Sequence, residues 1–164
     1  MIEKSLQQMK ETLEKELKMY KEILVLAKNK TEFIKSGQLD NIEKTTAKEQ
    51  QYIKMMGTFE RLRRSIFANI KEELQIESLD SISELLLHID DKKALYIDRL
   101  RDEILDVINE LKQVNELNEK LITKHLEYVN FNIQLMTSRP EGSHYGQNDT
   151  GNTKSISSLL DMKI

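Results

Sequence analysis

KKALYIDRLRDEILDVINELKQVNELNEKLITKHLEYVNFNIQLM, residues 92–136, is the stretch that decides the fold of this 164-residue chain. A seven-residue repeat runs through it, and neither glycine nor proline interrupts it. The a positions of the repeat are Ile97, Ile104, Leu111, Asn118, His125 and Asn132, and the d positions are Leu100, Val107, Val114, Leu121, Tyr128 and Leu135. This repeat predicts one long helix whose a and d positions, here called the seam, pack along another helix.

Two more long helices are predicted upstream. Apolar residues recur at steps of three and four from residue 2 to 35 and again from about 41 to 75, which is typical of amphipathic helices. Gly37 predicts the end of the first helix. Asp40 and Glu43 have the spacing of a capping box and predict that the second helix begins near Asn41. The connection is short, so we expect these two helices to be antiparallel.

A short connecting helix is predicted between residues 76 and 91. Ser81 and Glu84 form a second capping-box pattern, and apolar residues follow at helical spacing. The fold class is therefore all-α, an antiparallel bundle of three long helices and one short connecting helix over residues 1–136, with a disordered C-terminal tail.

The composition changes abruptly after residue 136. Residues 137–155 hold the only proline, three of the five glycines and a single apolar residue, Tyr145, so we expect a flexible tether. Residues 156–164 regain Ile156, Leu159, Leu160 and Ile164 at roughly helical spacing. This segment is predicted to be a short interaction motif.

Composition also excludes several protein classes. One proline, five glycines and 5% aromatic residues argue against an all-β fold, and a net charge of -3 argues against nucleic acid binding. The chain has no cysteine for thiol catalysis or disulfides. The first ten residues lack the apolar core of a signal peptide, and no apolar run is long enough for a membrane span. We expect a cytoplasmic protein that does not insert into membranes.

No residue pattern points to catalysis, a cofactor, a metal or a small-molecule substrate. The one Glu-x-x-His spacing, Glu141 and His144, falls in the predicted tether. Phosphotransfer on His125 is disfavoured, because such a histidine should have a lysine nearby downstream, and His125 is followed by Leu-Glu-Tyr-Val. A small basic cluster on the second helix lies among glutamates, which favours a solvated face; its members are Arg61, Arg63, Arg64 and Lys71. The chain is predicted not to be an enzyme.

The third long helix is predicted to extend beyond its neighbours. At 1.5 Å per residue it spans about 68 Å against about 50 Å for the other two, which leaves an unpaired end of about 17 Å. That end holds seven apolar residues, Leu126, Tyr128, Val129, Phe131, Ile133, Leu135 and Met136. The polar a positions, Asn118, His125 and Asn132, either specify register, or mark a seam that is open because a partner helix lies there. The unpaired end favours a partner.

Four segments in order carry a family resemblance. They are KSGQLDNIEK (35–44), NELNEKLITKHLEYVNFNIQLMT (115–137), Tyr145-Gly146, and SSLLDMK (157–163). Together they resemble the FlgN-type flagellar export chaperones over essentially the whole chain. The resemblance implies a type III export chaperone that binds the C-terminal segments of hook-filament junction (hook-associated) proteins in the cytoplasm, prevents their premature assembly and delivers them to the flagellar export gate.

The candidate client-binding residues lie near the end of the third long helix. They are Leu121, Ile122, His125, Leu126, Tyr128, Val129, Phe131, Asn132, Leu135 and Met136. The tail motif, with Tyr145, Ile156, Leu159, Leu160 and Ile164, would contact the client, the export gate or the chaperone's own groove. The alternative function is a coiled-coil scaffold that pairs this helix end with its own copy.

Overall fold

The computed structural model of the protein describes residues 1–138, apart from the side chain of Asp91. Four helices occur in that range: α1 (Ile2–Lys35), α2 (Leu39–Leu74), α3 (Ile82–Leu86) and α4 (Asp91–Thr137). The predicted all-α fold with three long helices and a short connecting helix is confirmed. The tail motif and most of the predicted tether, including Tyr145, lie outside the described residues.

Helix α1 is the central element of the bundle. Helices α2 and α4 both pack along α1, and α3 packs on α4. Because α2 returns the chain to the start of α1, α1 and α4 run parallel. Lys93 Nζ lies 2.8 Å from Glu3 Oε1 near the start of both helices, and Thr31 bonds to Asn118 near the end of α1.

Two apolar clusters hold the helices together. The first cluster joins all four helices through fully buried side chains, among them Met9, Leu13, Ile70, Leu85 and Ile104. The second cluster lies nearer the C-terminal end of α1 and contains Met19, Ile23, Leu24, Ala27 and Leu111, with partly buried residues of α2 packed against it. The two clusters therefore use most of the apolar residues that recur at steps of three and four in α1.

The turn between α1 and α2 confirms the predicted end of α1 at Gly37, whereas α2 begins two residues before the predicted start near Asn41. Gly37 has a left-handed backbone (φ 67°), its N–H donates to the carbonyl of Ile34, and the N–H of Gln38 donates to the carbonyl of Phe33. These two bonds form a Schellman motif, which a glycine at this position favours. Helix α2 then begins at Leu39, with Gln38 as an N-cap that makes no side-chain cap bond.

The predicted capping box of Asp40 and Glu43 is therefore wrong. Asp40 lies inside the first turn of α2, where its negative charge faces the positive end of the helix dipole, and it does not cap the helix.

The predicted capping box of α3 is confirmed, except that the Glu84 carboxylate bonds to the N–H of Asp80 and not to that of Ser81. Ser81 Oγ accepts from the N–H of Glu84 (3.2 Å), and Glu84 Oε2 accepts from the N–H of Asp80 (2.8 Å).

A buried charge pair joins α1 to α2. Arg63 Nε lies 3.1 Å from Glu16 Oε1, and the two side chains are only 12% and 3% exposed. The prediction of a solvated face is thus wrong for Arg63, although Arg61 and Arg64 are exposed. Burial raises the pKa of Glu16 to about 7; the Arg63 cation opposes this rise, and the nearby Glu60 carboxylate adds to it.

Candidate functional site

The seam of α4 is closed by α1 along most of its length. Ile97, Ile104 and Leu111 are at most 2% exposed and pack in the two apolar clusters. Asn118, at the next a position, is still buried at 4% exposure. The regular repeat read from the sequence therefore packs on α1 through its first four a positions.

Asn118 is held by two residues of α1. Its Nδ2 donates to the backbone carbonyl of Ala27 (3.0 Å), and Thr31 Oγ1 donates to its Oδ1 (2.5 Å). A buried amide with partners on both sides is a register-specifying contact inside the bundle. The hypothesis of a seam open to a partner is therefore wrong for Asn118, because α1 is long enough to reach it.

Helix α1 ends at Lys35, one turn beyond Thr31, whereas α4 continues to Thr137. We call residues 123–137 of α4 the overhang; it is about 22 Å long at 1.5 Å per residue. It exposes the seven apolar residues that were predicted for the unpaired end, with exposures from 49% to 87%. These are Leu126, Tyr128, Val129, Phe131, Ile133, Leu135 and Met136. The predicted exposure of this segment is confirmed.

The apolar residues occupy two flanks of the overhang. At 3.6 residues per turn, Leu126, Val129, Ile133 and Met136 share one flank, and Tyr128, Phe131 and Leu135 share the other. His125 and Asn132 lie between the two flanks, on the continuation of the seam. A third, polar side carries Thr123, Glu127, Asn130, Gln134 and Thr137, and Lys124 lies on the second flank, between Phe131 and Leu135. Apolar residues thus line both edges of the exposed seam, a concentration that is typical of a protein-binding surface.

The candidate client-binding residues all fall on this helix end, in three environments. Leu121 and Ile122 are half-buried at the base of the overhang. Asn132 is half-buried, and His125 is exposed. Exposure of His125 meets one requirement of phosphotransfer, but the nearest lysine, Lys124, precedes it. The remaining candidates are the exposed apolar residues of the two flanks.

Sequence reasoning missed two features beside the overhang. Leu39 is 65% exposed at the start of α2, at the end of the bundle from which the overhang projects. Ala27 counted only as one of the recurring apolar residues of the first helix, and Thr31 was not singled out, although both hold Asn118. Leu39 lies two residues after Gly37, so the sequence placed it beside the turn, but no local pattern indicated its exposure.

Residues 1–138 hold neither a metal cluster nor a helix that could span a membrane. Across residues 1–138, no group of three or more His, Asp or Glu side chains is arranged to hold a metal ion. In the same range, every helix is too polar or too short to cross a bilayer.

Comparison with known proteins adds the family. A Bacillus subtilis (strain 168) protein described as uncharacterized, YvyG, is 23% identical over 132 residues, which cover 79% of each chain. No solved structure matches this chain significantly. The profile of the FlgN protein family matches residues 1–153, which is nearly the whole sequence. The chain therefore belongs to the FlgN family of flagellar export chaperones.

Proposed function

We propose that this chain binds the C-terminal segments of hook-filament junction (hook-associated) proteins in the cytoplasm, and that the overhang is the binding surface. In this proposal the chaperone prevents premature assembly of its clients and delivers them to the flagellar export gate. The single observation that carries the proposal is the set of seven exposed apolar side chains on the two flanks of a helix end that projects beyond α1. Membership of the FlgN family supports the class of client.

The geometry favours a helical client segment. The fully buried part of the α4 seam ends at Asn118, and the half-buried Leu121 and Ile122 connect it to the exposed apolar residues of the overhang. An amphipathic helix laid on that continuation would bury residues of both flanks, as in other helix-in-groove complexes. Each Leu or Val side chain that becomes fully buried contributes about 1.5–3 kcal/mol.

Charge placed on the flank tests the proposal. Val129→Asp or Leu126→Asp should weaken binding of a junction-protein C-terminal segment at least tenfold, because a carboxylate would be desolvated in the interface. Asn130→Asp, on the polar side of the same turn, is the matched control and should bind normally. Calorimetry gives the affinity, and circular dichroism of the same samples checks folding. Unchanged affinity in a folded Val129→Asp protein would refute this binding surface.

For the tail we propose that residues 156–164 clamp the bound client. Tethering raises the effective concentration of a weak contact, so a short motif contributes although its isolated affinity is low. Deleting residues 156–164 should leave the melting temperature of the bundle unchanged and weaken client binding. Stronger binding after deletion would instead place the motif in the chaperone's own groove. Equal affinity and equal secretion in cells would refute both roles.

The alternative function is a scaffold in which two copies pair their overhangs, since the same apolar exposure would serve self-association. Light scattering of the free chain separates the two functions. A client-binding chaperone should be monomeric alone and form a complex when the client segment is added. A scaffold should be oligomeric alone, and Leu126→Asp should dissociate it.

A further inference from the structure

Three polar residues recur every seven positions on the seam of α4, and the structure divides them into two groups. Asn118 is buried against α1, while His125 and Asn132 lie beyond the last contact with α1. Asn118 thus shows how an asparagine side chain on this seam bonds to a helix that covers it. Asn132 is a second asparagine, two heptads further along the same seam.

The contact of Asn118 depends on two features of the facing helix. Ala27 has a small side chain, so the amide of Asn118 can reach the backbone carbonyl of Ala27 at 3.0 Å. Thr31 follows four residues later on the same face, and its hydroxyl donates to the other end of the amide. Asn118 therefore recognises a small residue followed at the fourth position by a hydroxyl residue.

Asn132 has a comparable setting on the overhang. Tyr128 and Leu135 precede and follow it at the d positions of the seam, as Val114 and Leu121 precede and follow Asn118. A helix that covers these apolar neighbours must also remove water from the Asn132 amide. If that helix offers no hydrogen-bond partner, the desolvated amide lowers the affinity by about tenfold. If it offers a backbone carbonyl and a hydroxyl, as Ala27 and Thr31 of α1 do for Asn118, this loss is avoided.

We propose that Asn132 is a specificity-determining residue of the client site, and that it selects a client helix with a small residue followed four positions later by Ser or Thr. This inference rests on the proposed function, because the occupant is taken to be the helical C-terminal segment of an exported flagellar protein. The continuous seam between α1 and the overhang supports that occupant. Polar seam residues in coiled coils likewise fix register and partner at a cost in stability.

A double-mutant cycle tests the inference. The probe is the C-terminal segment of a hook-filament junction protein, used unchanged and with each Ser or Thr replaced singly by Val. Each peptide is titrated into the wild-type full chain, into Asn132→Leu and into the control Asn130→Leu. One replacement should weaken binding about tenfold for the wild type and for Asn130→Leu, and should have no effect for Asn132→Leu. Circular dichroism should show the same helicity for all three proteins.

The possible failures are distinguishable. If the wild type binds the segment but no Ser or Thr couples to Asn132, the specificity role is refuted and the proposed function stands. If Asn130→Leu removes the coupling as well as Asn132→Leu does, the specificity role is also refuted. If the wild type binds no junction-protein segment, the proposed function and this inference fall together. If the free chain is a dimer that Asn132→Leu alters, the occupant is a second copy and the inference is overturned.

Discussion

The side-chain amide of Asn118 donates a 3.0 Å hydrogen bond to the backbone carbonyl of Ala27, which lies 91 residues earlier in the chain. This bond ties α4 to α1 about two turns before α1 ends. A shift of α4 along α1 by one turn would leave the amide without its two partners. The contact therefore fixes where the overhang begins.

Loss of this amide should destabilise the bundle. Asn118→Ala removes the acceptor of the Thr31 hydroxyl and leaves a gap, so the free energy of unfolding should fall by about 1–3 kcal/mol. Urea unfolding measures the change, with the exposed Asn130→Ala as the control. The effects of Asn118→Ala and Thr31→Val should be less than additive, because both remove the same bond. Full additivity would contradict the contact.

The two helix ends of the α1–α2 hairpin allow a paired test. Gln75 ends α2 in a left-handed conformation (φ 54°), with the same bonding pattern as Gly37. Because a side chain disfavours this conformation, Gln75→Gly should stabilise the protein by about 0.5–1 kcal/mol. Gly37→Ala should destabilise it by about 1 kcal/mol. Thermal unfolding measures both, and a destabilising Gln75→Gly would contradict the assigned helix end.

The buried Glu16 should make stability depend on pH. Its pKa is raised to about 7 in the folded protein from 4.5, so the folded state binds the extra proton between these values. The stabilisation due to this group is present below pH 4.5 and is lost as the pH rises through 7. Relative to Glu16→Gln, the wild type should lose on the order of 2–3 kcal/mol between pH 5 and 8.

Urea unfolding of both proteins at several pH values measures this difference. The comparison with Glu16→Gln cancels the contributions of other carboxylates. Parallel pH profiles for the two proteins would show that Glu16 titrates normally, and would contradict its burial beside Arg63.

Two leucines of α4 separate the core from the overhang. Leu111 is 1% exposed and Leu126 is 58% exposed. Leu111→Ala should cost about 2–5 kcal/mol of unfolding free energy, whereas Leu126→Ala should change it by less than about 0.5 kcal/mol. Denaturant unfolding of the free chain measures both. A large loss for Leu126→Ala would mean that the overhang is packed in solution, and would argue against a free binding surface.

The long helices were predictable because their signals are local. The three- and four-residue spacing of apolar residues gave the bounds of α1, and the repeat in α4 gave a helix within one residue of Asp91–Thr137 at each end. The overhang was also predictable, because the predicted helix lengths leave the end of α4 unpaired once its start lies beside the end of α2. One error is local, the capping box of Asp40 and Glu43, and another concerns a pairing between distant residues. Arg63 reads as a surface residue among glutamates, and only the packing of α2 on α1 buries it beside Glu16.

The candidate site likewise combines a local pattern that the sequence shows with a difference in environment that it does not show. Asn118, His125 and Asn132 are equivalent in the repeat, and sequence alone offers the same interpretations for all three. Their environments differ because α1 ends beside the first of them. Which of the three residues α1 covers depends on the axial register of α1 and α4. That register is set by contacts between residues far apart in sequence, and no local pattern encodes it.

The parallel arrangement of α1 and α4 also sets an order of folding. Helices α1 and α2 are joined by residues 36–38 alone and can form a hairpin as soon as both have been synthesised. Contact between α4 and α1 instead closes a loop of residues 36–90. Contacts that close long loops form late, so on the ribosome the α4-facing side of α1 stays uncovered until residues 97–118 have emerged. Pulsed hydrogen exchange should show the amides of α1 and α2 protected before those of α4. The overhang is thus completed only after the segments that form the bundle have emerged from the ribosome.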